Sequence, residues 1–185
     1  VSALLLAGFA NVTPIGELRT SHTATLLSDG RILIVGGSRP GGVITPTDEI
    51  YDPVAKTSTL LNPSTPYRRH RHTATLMPDG SVLVVGGFDG SGIGVFQTES
   101  WKDGWTTRGN LYGQTGWHSA ALMDSGQVLV AGGCTAFGGP RSFVPWIMRS
   151  GRPGTAWIDT ANIATFNASQ MFAITGHGVI VAGGD

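Results

Sequence analysis

HTATLLSDGRILIVGG, residues 22–37, is the stretch of sequence on which the fold depends. Two short apolar runs lie on either side of an Asp-Gly pair, and a Gly-Gly pair ends the stretch. Asp-Gly tolerates the positive φ angles of tight hairpin turns, and β-branched and leucine-rich runs beside such a turn are typical of buried strands. The stretch therefore predicts a β-hairpin buried on both faces. The Gly-Gly pair predicts close approach of a neighbouring sheet at its end.

The same pattern occurs four times along the chain. A nearly identical copy, HTATLMPDGSVLVVGG, spans residues 72–87, and the double glycines recur at spacings of 50, 46 and 51 residues. The paired glycines are Gly36, Gly37, Gly86, Gly87, Gly132, Gly133, Gly183 and Gly184. Fourteen residues before the first glycine of each pair are His22, His72, His118 and Ser169. A hairpin repeated at this period predicts an array of similar β units.

Each of the first three hairpins is followed by a loop rich in Gly and Pro. These loops span Ser38–Pro46, Phe88–Val95 and Cys134–Pro145. A third strand is predicted after the first two loops, at 47–53 and 98–104, and a fourth strand at 56–61 and 105–108. Four antiparallel strands in about 50 residues correspond to one blade of a β-propeller.

The repeat, read as R-x-x-H-T-A-T-L-x-x-D-G-x-x-L-x-x-G-G followed by E-x-Y-D-P, resembles the kelch motif of bacterial and oxidase-type propellers. The first copy has Arg19, His22, Gly36, Gly37, Glu49, Tyr51 and Asp52. The second copy has Arg69, His72, Gly86, Gly87, Glu99 and Trp101. The third copy departs from the motif after Gly133, and the fourth lacks both the Arg and the His. The resemblance implies an all-β propeller of four-stranded antiparallel blades, about four of them kelch-like.

The predicted organisation is a single domain over residues 1–185. The blade hairpins are expected at 19–37, 69–87, 115–133 and 169–184, with residues 1–18 completing the last blade. Such closure removes the exposed sheet edges that favour aggregation. Two arrangements remain open: a four-bladed ring closed by this chain alone, or part of a larger ring.

The composition excludes several classes of function. Twelve basic residues balance twelve acidic ones and only 13% of residues are charged, which argues against a general nucleic-acid binder. One cysteine, Cys134, allows no disulfide within the chain and no Cys-rich zinc site. No apolar run approaches the ~18 residues of a membrane span. Low charge with abundant Gly, Thr and Ser favours an extracellular or cell-surface location, and a cytoplasmic one stays open.

The candidate binding residues lie in loops that share one face. In a four-stranded meander, the 2–3 and 4–1 connections leave the same end of the sheet, and loops on a rigid scaffold are where binding residues concentrate. The run YRRHRH at 67–72 is the densest charge cluster, and its unrepeated cations would form an anion site. The residues predicted for this face are Arg39, Arg68, His70, Arg71, Asp89, Tyr112, Gln114, Trp117, Phe137 and Trp146.

The repeated histidines have two readings. His22, His72 and His118 share a register position, so a ring would gather them into a symmetric metal site. Ser169 interrupts that symmetry, and repeat-locked polar residues usually satisfy neighbouring backbone groups. We therefore predict that these histidines and the paired glycines are structural, and that the protein holds no metal and no cofactor.

The expected function is a non-catalytic binding or structural module whose loop-rich face meets a protein or carbohydrate partner. One alternative is a structural subunit that assembles with its own copies. Another is a fragment of a secreted copper oxidase, because kelch propellers occur in the galactose and glyoxal oxidases. That family's site needs Tyr, His and a Tyr–Cys crosslink. The chain offers Cys134 with Tyr51, Tyr67 and Tyr112 but has no adjacent Tyr-His pair, so no catalytic residue is predicted.

Overall fold

Two complete four-stranded sheets and two hairpins make up the described structure. The computed structural model describes residues 15–111, 113, 115–131, 133, 157, 171–174 and 178–181. Sheet I consists of β1 (Thr23–Leu26), β2 (Ile32–Val35), β3 (Glu49–Asp52) and β4 (Thr57–Leu60). Sheet II consists of β5 (Thr73–Leu76), β6 (Val82–Val85), β7 (Gln97–Trp101) and β8 (Trp105–Asn110). The third hairpin is β9 (Ser119–Leu122) with β10 (Val128–Ala131), and the fourth is β11 (Met171–Ile174) with β12 (Gly178–Val181).

Within those residues the protein is all-β, with no helix, which confirms the predicted fold class at that level. Both sheets are antiparallel meanders in chain order. The 2–3 connections, and the segments that enter β1 and β5, therefore lie at one end of each sheet, here called the loop end. The 1–2 and 3–4 turns lie at the opposite end, here called the turn end.

The hairpin turns follow from the Asp-Gly and Ser-Gly pairs. In the first turn, the Leu27 N–H donates to Arg31 O at 2.8 Å and the Gly30 N–H donates to Leu27 O at 3.0 Å. The turns of the second and third hairpins repeat this pattern. Gly30, Gly80 and Gly126 have φ of 88°, 83° and 75°, the left-handed region that glycine enters without steric cost. The fourth hairpin is paired as predicted, and its turn at 175–177 lies outside the described residues.

The strand bounds differ from the predicted ones by a few residues. The third strand of sheet I begins at Glu49 rather than at 47, and β8 continues to Asn110 rather than ending at 108. A register shift between Thr98 and Glu99 accompanies the longer pairing of β7 with β8. Such a bulge inserts an extra residue into one strand, which sequence pattern alone does not reveal.

The core lies on the second and third strands of each sheet. All four residues of β6 are buried, and three of four in β2, so the prediction of strands buried on both faces is confirmed for these second strands. It is wrong for β1, where burial alternates and Leu26 is 62% exposed. Within the described residues β1 is an edge strand bonded to β2 alone, and Leu26 is its last residue, beside the exposed turn residues Ser28 and Asp29.

The first strands of successive units lie side by side. β1 contacts β5, β5 contacts β9, and β9 contacts β11. The units are therefore arranged in chain order around a row of first strands. The described residues do not form a closed ring, so the propeller remains a prediction.

Candidate functional site

A buried ion pair lies inside each sheet near the loop end. The Arg19 guanidinium meets the Glu49 carboxylate, and the Arg69 guanidinium meets that of Glu99 at 2.7 Å, with all four side chains inaccessible to solvent. Arg69 also donates to Gly86 O and to Gln97 O, each at 2.9 Å. Burial raises the pKa of Glu99, and the adjacent Arg69 opposes that rise. Both repeated arginines are thus occupied by structural contacts inside the sheet.

The repeated histidines join neighbouring units. His72 Nε2 is 2.9 Å from Thr23 Oγ1, and its imidazole lies against Gly36 of sheet I. His118 Nε2 is likewise 2.9 Å from Thr73 Oγ1, and it lies against Gly86. Burial, followed by the charge of Arg69, lowers the pKa of His118 to about 4 and that of His72 well below its usual value. Both rings are therefore neutral near pH 7.

The paired glycines allow two units to approach at backbone distance. The Gly37 N–H donates to Arg69 O at 2.9 Å, and the Gly87 N–H donates to Thr115 O at 2.8 Å. A Cβ on Gly36 would lie 2.2 Å from Arg69 O, a distance that real side chains do not occupy. Together with the His–Thr contact, these hydrogen bonds form an interunit lock. Gly132, Gly183 and Gly184 lie outside the described residues.

A buried carboxylate that sequence reasoning missed connects sheet I to the segment that leads from β4 into sheet II. Asp48 accepts from the Gly36 N–H at 2.8 Å and from the Thr65 N–H at 2.6 Å. Burial raises the pKa of Asp48, and these two backbone donors oppose that rise. Thr98 occupies the equivalent position of sheet II. The carboxylate is not repeated, so the sequence offered no signal for it.

A row of left-handed residues crosses the loop end. Ser21, Arg71 and Trp117 each stand directly before the repeat histidine, and each has φ of 55°. The Arg71 N–H donates to Ser21 O at 2.9 Å, and the Trp117 N–H donates to Arg71 O at 3.2 Å. Arg71 therefore occupies a repeated backbone position, although its side chain is unrepeated. Aligning the repeats on His22, His72 and His118 places these three residues at one position, but their residue types do not indicate the positive φ.

Three of the predicted site residues, His70, Arg71 and Trp117, come together around Phe88. These four residues are here called the rim cluster. The Arg71 guanidinium lies over the Trp117 ring at 4.3 Å from its centroid. The Phe88 ring meets Trp117 edge to face at 5.4 Å and meets His70 edge to face at 6.1 Å. Phe88 is fully buried, while Trp117 is 38% exposed. Phe88 was not among the predicted site residues, and it supports the others from beneath.

The remaining predicted residues divide into three groups. Arg68 is exposed beside the cluster. Asp89 stabilises its own loop by accepting from the N–H groups of Ser91 and Ile93, and Arg39 pairs with Glu17 in the corresponding loop of sheet I. Tyr112, Gln114, Phe137 and Trp146 lie outside the described residues, as does Cys134.

The loop tips expose apolar side chains. Val43 is 62% exposed and Ile93 is 51% exposed, at corresponding places in the two described 2–3 loops. The two loops are neighbours, since a Cβ on Gly90 would lie 3.8 Å from the Ile44 side chain. The Ile93 loop begins at Phe88, so exposed apolar surface adjoins the rim cluster.

The turn end carries an open cleft of about 360 Å³ between the two sheets. Its lining mixes both charge signs, including Asp29, Arg31, Asp79, Lys102 and Asp103. Arg31 pairs with Asp29 at 2.6 Å, and Lys102 Nζ donates to Asp79 O at 2.7 Å. These contacts engage Asp29, Arg31 and Lys102, and none of the predicted site residues that the structure describes lines the cleft.

Over the described ranges, no three His, Cys, Asp or Glu side chains are grouped to hold a metal ion. In the same part of the chain, no helix has the length and apolar character to cross a membrane. Comparison with protein-family models and with curated proteins found no match to this chain.

Proposed function

We propose that the chain is a non-catalytic binding module, a kelch-like β-propeller whose loop end meets a protein or carbohydrate partner. The successive contacts among β1, β5, β9 and β11 support the propeller, because they place the first strands of the units in a row. The low charge of the chain favours an extracellular or cell-surface location.

One observation carries the binding proposal. The repeated polar residues are buried in structural contacts, whereas exposed side chains lie at the loop end: the unrepeated Arg68 and Trp117, and the apolar Val43 and Ile93. A binding surface on a rigid fold is expected to have this arrangement, with scaffold residues that recur in each repeat and rim residues that differ between repeats.

The test uses peptide display and a glycan array with the full chain. Any partner found should lose affinity when Val43 or Ile93 is changed to Asp. Val54→Asp is the matched control, because Val54 is 91% exposed and lies in the β3–β4 turn at the turn end. Binding that falls only in the Val54 variant would reject the loop end as the binding surface.

A structural subunit that assembles with its own copies is the second candidate. The outer strand β4 is largely exposed along its length and, in the part of the chain that the structure describes, pairs with β3 alone; such a strand edge is a template for pairing with another chain. Mass in solution distinguishes the two proposals: a species of 19.3 kDa supports the binding module, and a stable multiple supports assembly.

A further inference from the structure

One oxygen of the buried Glu99 carboxylate has no hydrogen-bond donor. Thr65 Oγ1 and the Arg69 guanidinium both donate to Glu99 Oε2, at 2.5 and 2.7 Å. Among the described residues, none donates to Glu99 Oε1, although the side chain is inaccessible to solvent. A buried acceptor without a donor loses its hydrogen bonds to water without replacement, and native structures rarely leave one in that state.

The equivalent carboxylate of sheet I shows how such an oxygen is satisfied. Glu49 Oε2 accepts from the Gly16 N–H at 2.6 Å and from Ser58 Oγ at 2.5 Å. In the second repeat, Pro66 stands at the position equivalent to Gly16, and proline has no N–H to donate. The first of these two donors is therefore lost in sheet II.

Trp105 occupies the position of Ser58 and brings a different donor. The strand pairing places each of them two residues before the residue opposite the glutamate, on the same face of its sheet as that glutamate. Long side chains at such diagonal positions can reach each other. The Nε1–H of Trp105 is buried and, within the described residues, has no acceptor. A buried unpaired donor and a buried unpaired acceptor thus stand at diagonal positions on one face of sheet II.

The chemistry of these two atoms selects a neutral molecule that both donates and accepts. An indole N–H only donates, so it cannot ligate a cation, and Arg69 already lies against the same carboxylate. Burial raises the pKa of Glu99 and the charge of Asp48 adds to that rise, so an anion would meet two carboxylates. A water molecule accepts from the indole, donates to the carboxylate oxygen, and commonly satisfies buried polar groups.

We propose that one buried water molecule bridges Trp105 Nε1 and Glu99 Oε1, on the face of sheet II that meets sheet I. The water does in the second unit what the Ser58 hydroxyl does in the first. Trp105 is then a positioning residue, which holds the carboxylate for its ion pair with Arg69. This site is separate from the loop-end surface of the proposed function, so either can fail without the other.

A high-resolution crystal structure of the full chain tests the site directly. We expect one ordered water within about 3.2 Å of both Trp105 Nε1 and Glu99 Oε1. Electron density for a direct bond between these two atoms, or density without a water between them, would overturn the proposal.

Titration of the Glu99 carboxyl carbon by NMR tests the role of Trp105. Trp105→Phe removes the donor that holds the water, so the titration midpoint of Glu99 should move to higher pH, because its ionised form loses a hydrogen bond. Trp101→Phe is the matched control. It removes the same ring from the opposite position of β7 without removing a buried unpaired donor, and it should leave the midpoint unchanged. An unchanged midpoint in Trp105→Phe, or equal shifts in the two variants, would overturn the link between the indole and the carboxylate.

Discussion

Sheet I contacts sheet II much as sheet II contacts the third hairpin. The two contacts have the same buried hydrogen bonds but differ at the loop end. The His–Thr–Gly lock is nearly the same in both, with the two Nε2 to Oγ1 distances at 2.9 Å. At the loop end of sheet I, Ser38 forms a β-bridge with Thr20, whereas at the loop end of sheet II the bulky Phe88 occupies the equivalent position and forms a bridge with His70. Gly116 then occurs where the Phe88 ring needs space.

This difference separates two kinds of constraint. Residues that satisfy buried polar groups between units must recur wherever the units meet, because an unpaired buried charge or donor costs several kcal/mol. Residues at the rim are free to change provided that neighbouring volumes compensate. The repeat therefore identifies the scaffold, and departures from it identify the candidate site.

Breaking the buried ion pair of sheet II should have the largest effect. We expect Glu99→Leu to lower the free energy of unfolding by about 3–5 kcal/mol, because it leaves the Arg69 charge buried without its partner. Combined with Arg69→Met, the loss should be smaller than the sum of the two single losses. Urea unfolding of the four proteins measures this coupling. Strictly additive losses would contradict a direct pair.

Replacing Gly36, the first glycine of the pair, with Ala should lower the free energy of unfolding by about 3 kcal/mol or more. Ala at Gly36 would place a Cβ 2.2 Å from Arg69 O at a φ of 59°. Gly30→Ala is the matched control, because it also has positive φ but has no atom within 4 Å of the added Cβ. Thermal unfolding compares the two variants. Similar losses would mean that backbone strain, and not contact with the next unit, explains Gly36.

The buried His118 should make stability depend on pH. Its pKa is about 4 when folded and about 6.5 when unfolded, so the unfolded chain binds more protons between these values. Stability should therefore be complete above pH 6.5 and should fall by up to about 3 kcal/mol as the pH decreases to 4. Urea unfolding across this range, compared with His118→Gln, isolates the contribution. A difference between the two proteins that does not vary with pH would contradict it.

The contact between Phe88 and Gly116, which is not repeated in the other units, should be sensitive to side-chain volume. A Cβ on Gly116 would lie 2.2 Å from the Phe88 ring, so Gly116→Ala should cost about 1–3 kcal/mol. Phe88→Ser, the residue type at the equivalent Ser38, should itself be destabilising because Phe88 is fully buried, but the loss in the double variant should be smaller than the sum of the two single losses. Chemical denaturation of the single and double variants measures this difference. A double variant less stable than the sum of its parts would show that the two residues do not compensate.

The sequence allowed the hairpins, their turns and the meander order to be predicted, because Asp-Gly and Gly-Gly have direct backbone consequences. It also identified Arg71 and Trp117 as candidates, but not their contact. That contact depends on how two units pack, and only the register before the repeat histidines indicates it. Phe88 and Asp48 were missed because burial of an unrepeated residue between units leaves no local pattern.

The most direct test of the difference between repeated scaffold and unrepeated rim is to make the same substitution at two arginines that lie two residues apart. Arg69→Met and Arg71→Met each remove one arginine from the run YRRHRH, and urea unfolding measures both. Arg69 is fully buried against Glu99, so its loss should cost about 3–5 kcal/mol. Arg71 lies in the rim cluster, so its loss should cost about 1 kcal/mol or less, the scale of a surface cation–π contact. Equal losses would contradict the separation of a repeated scaffold from an unrepeated binding rim.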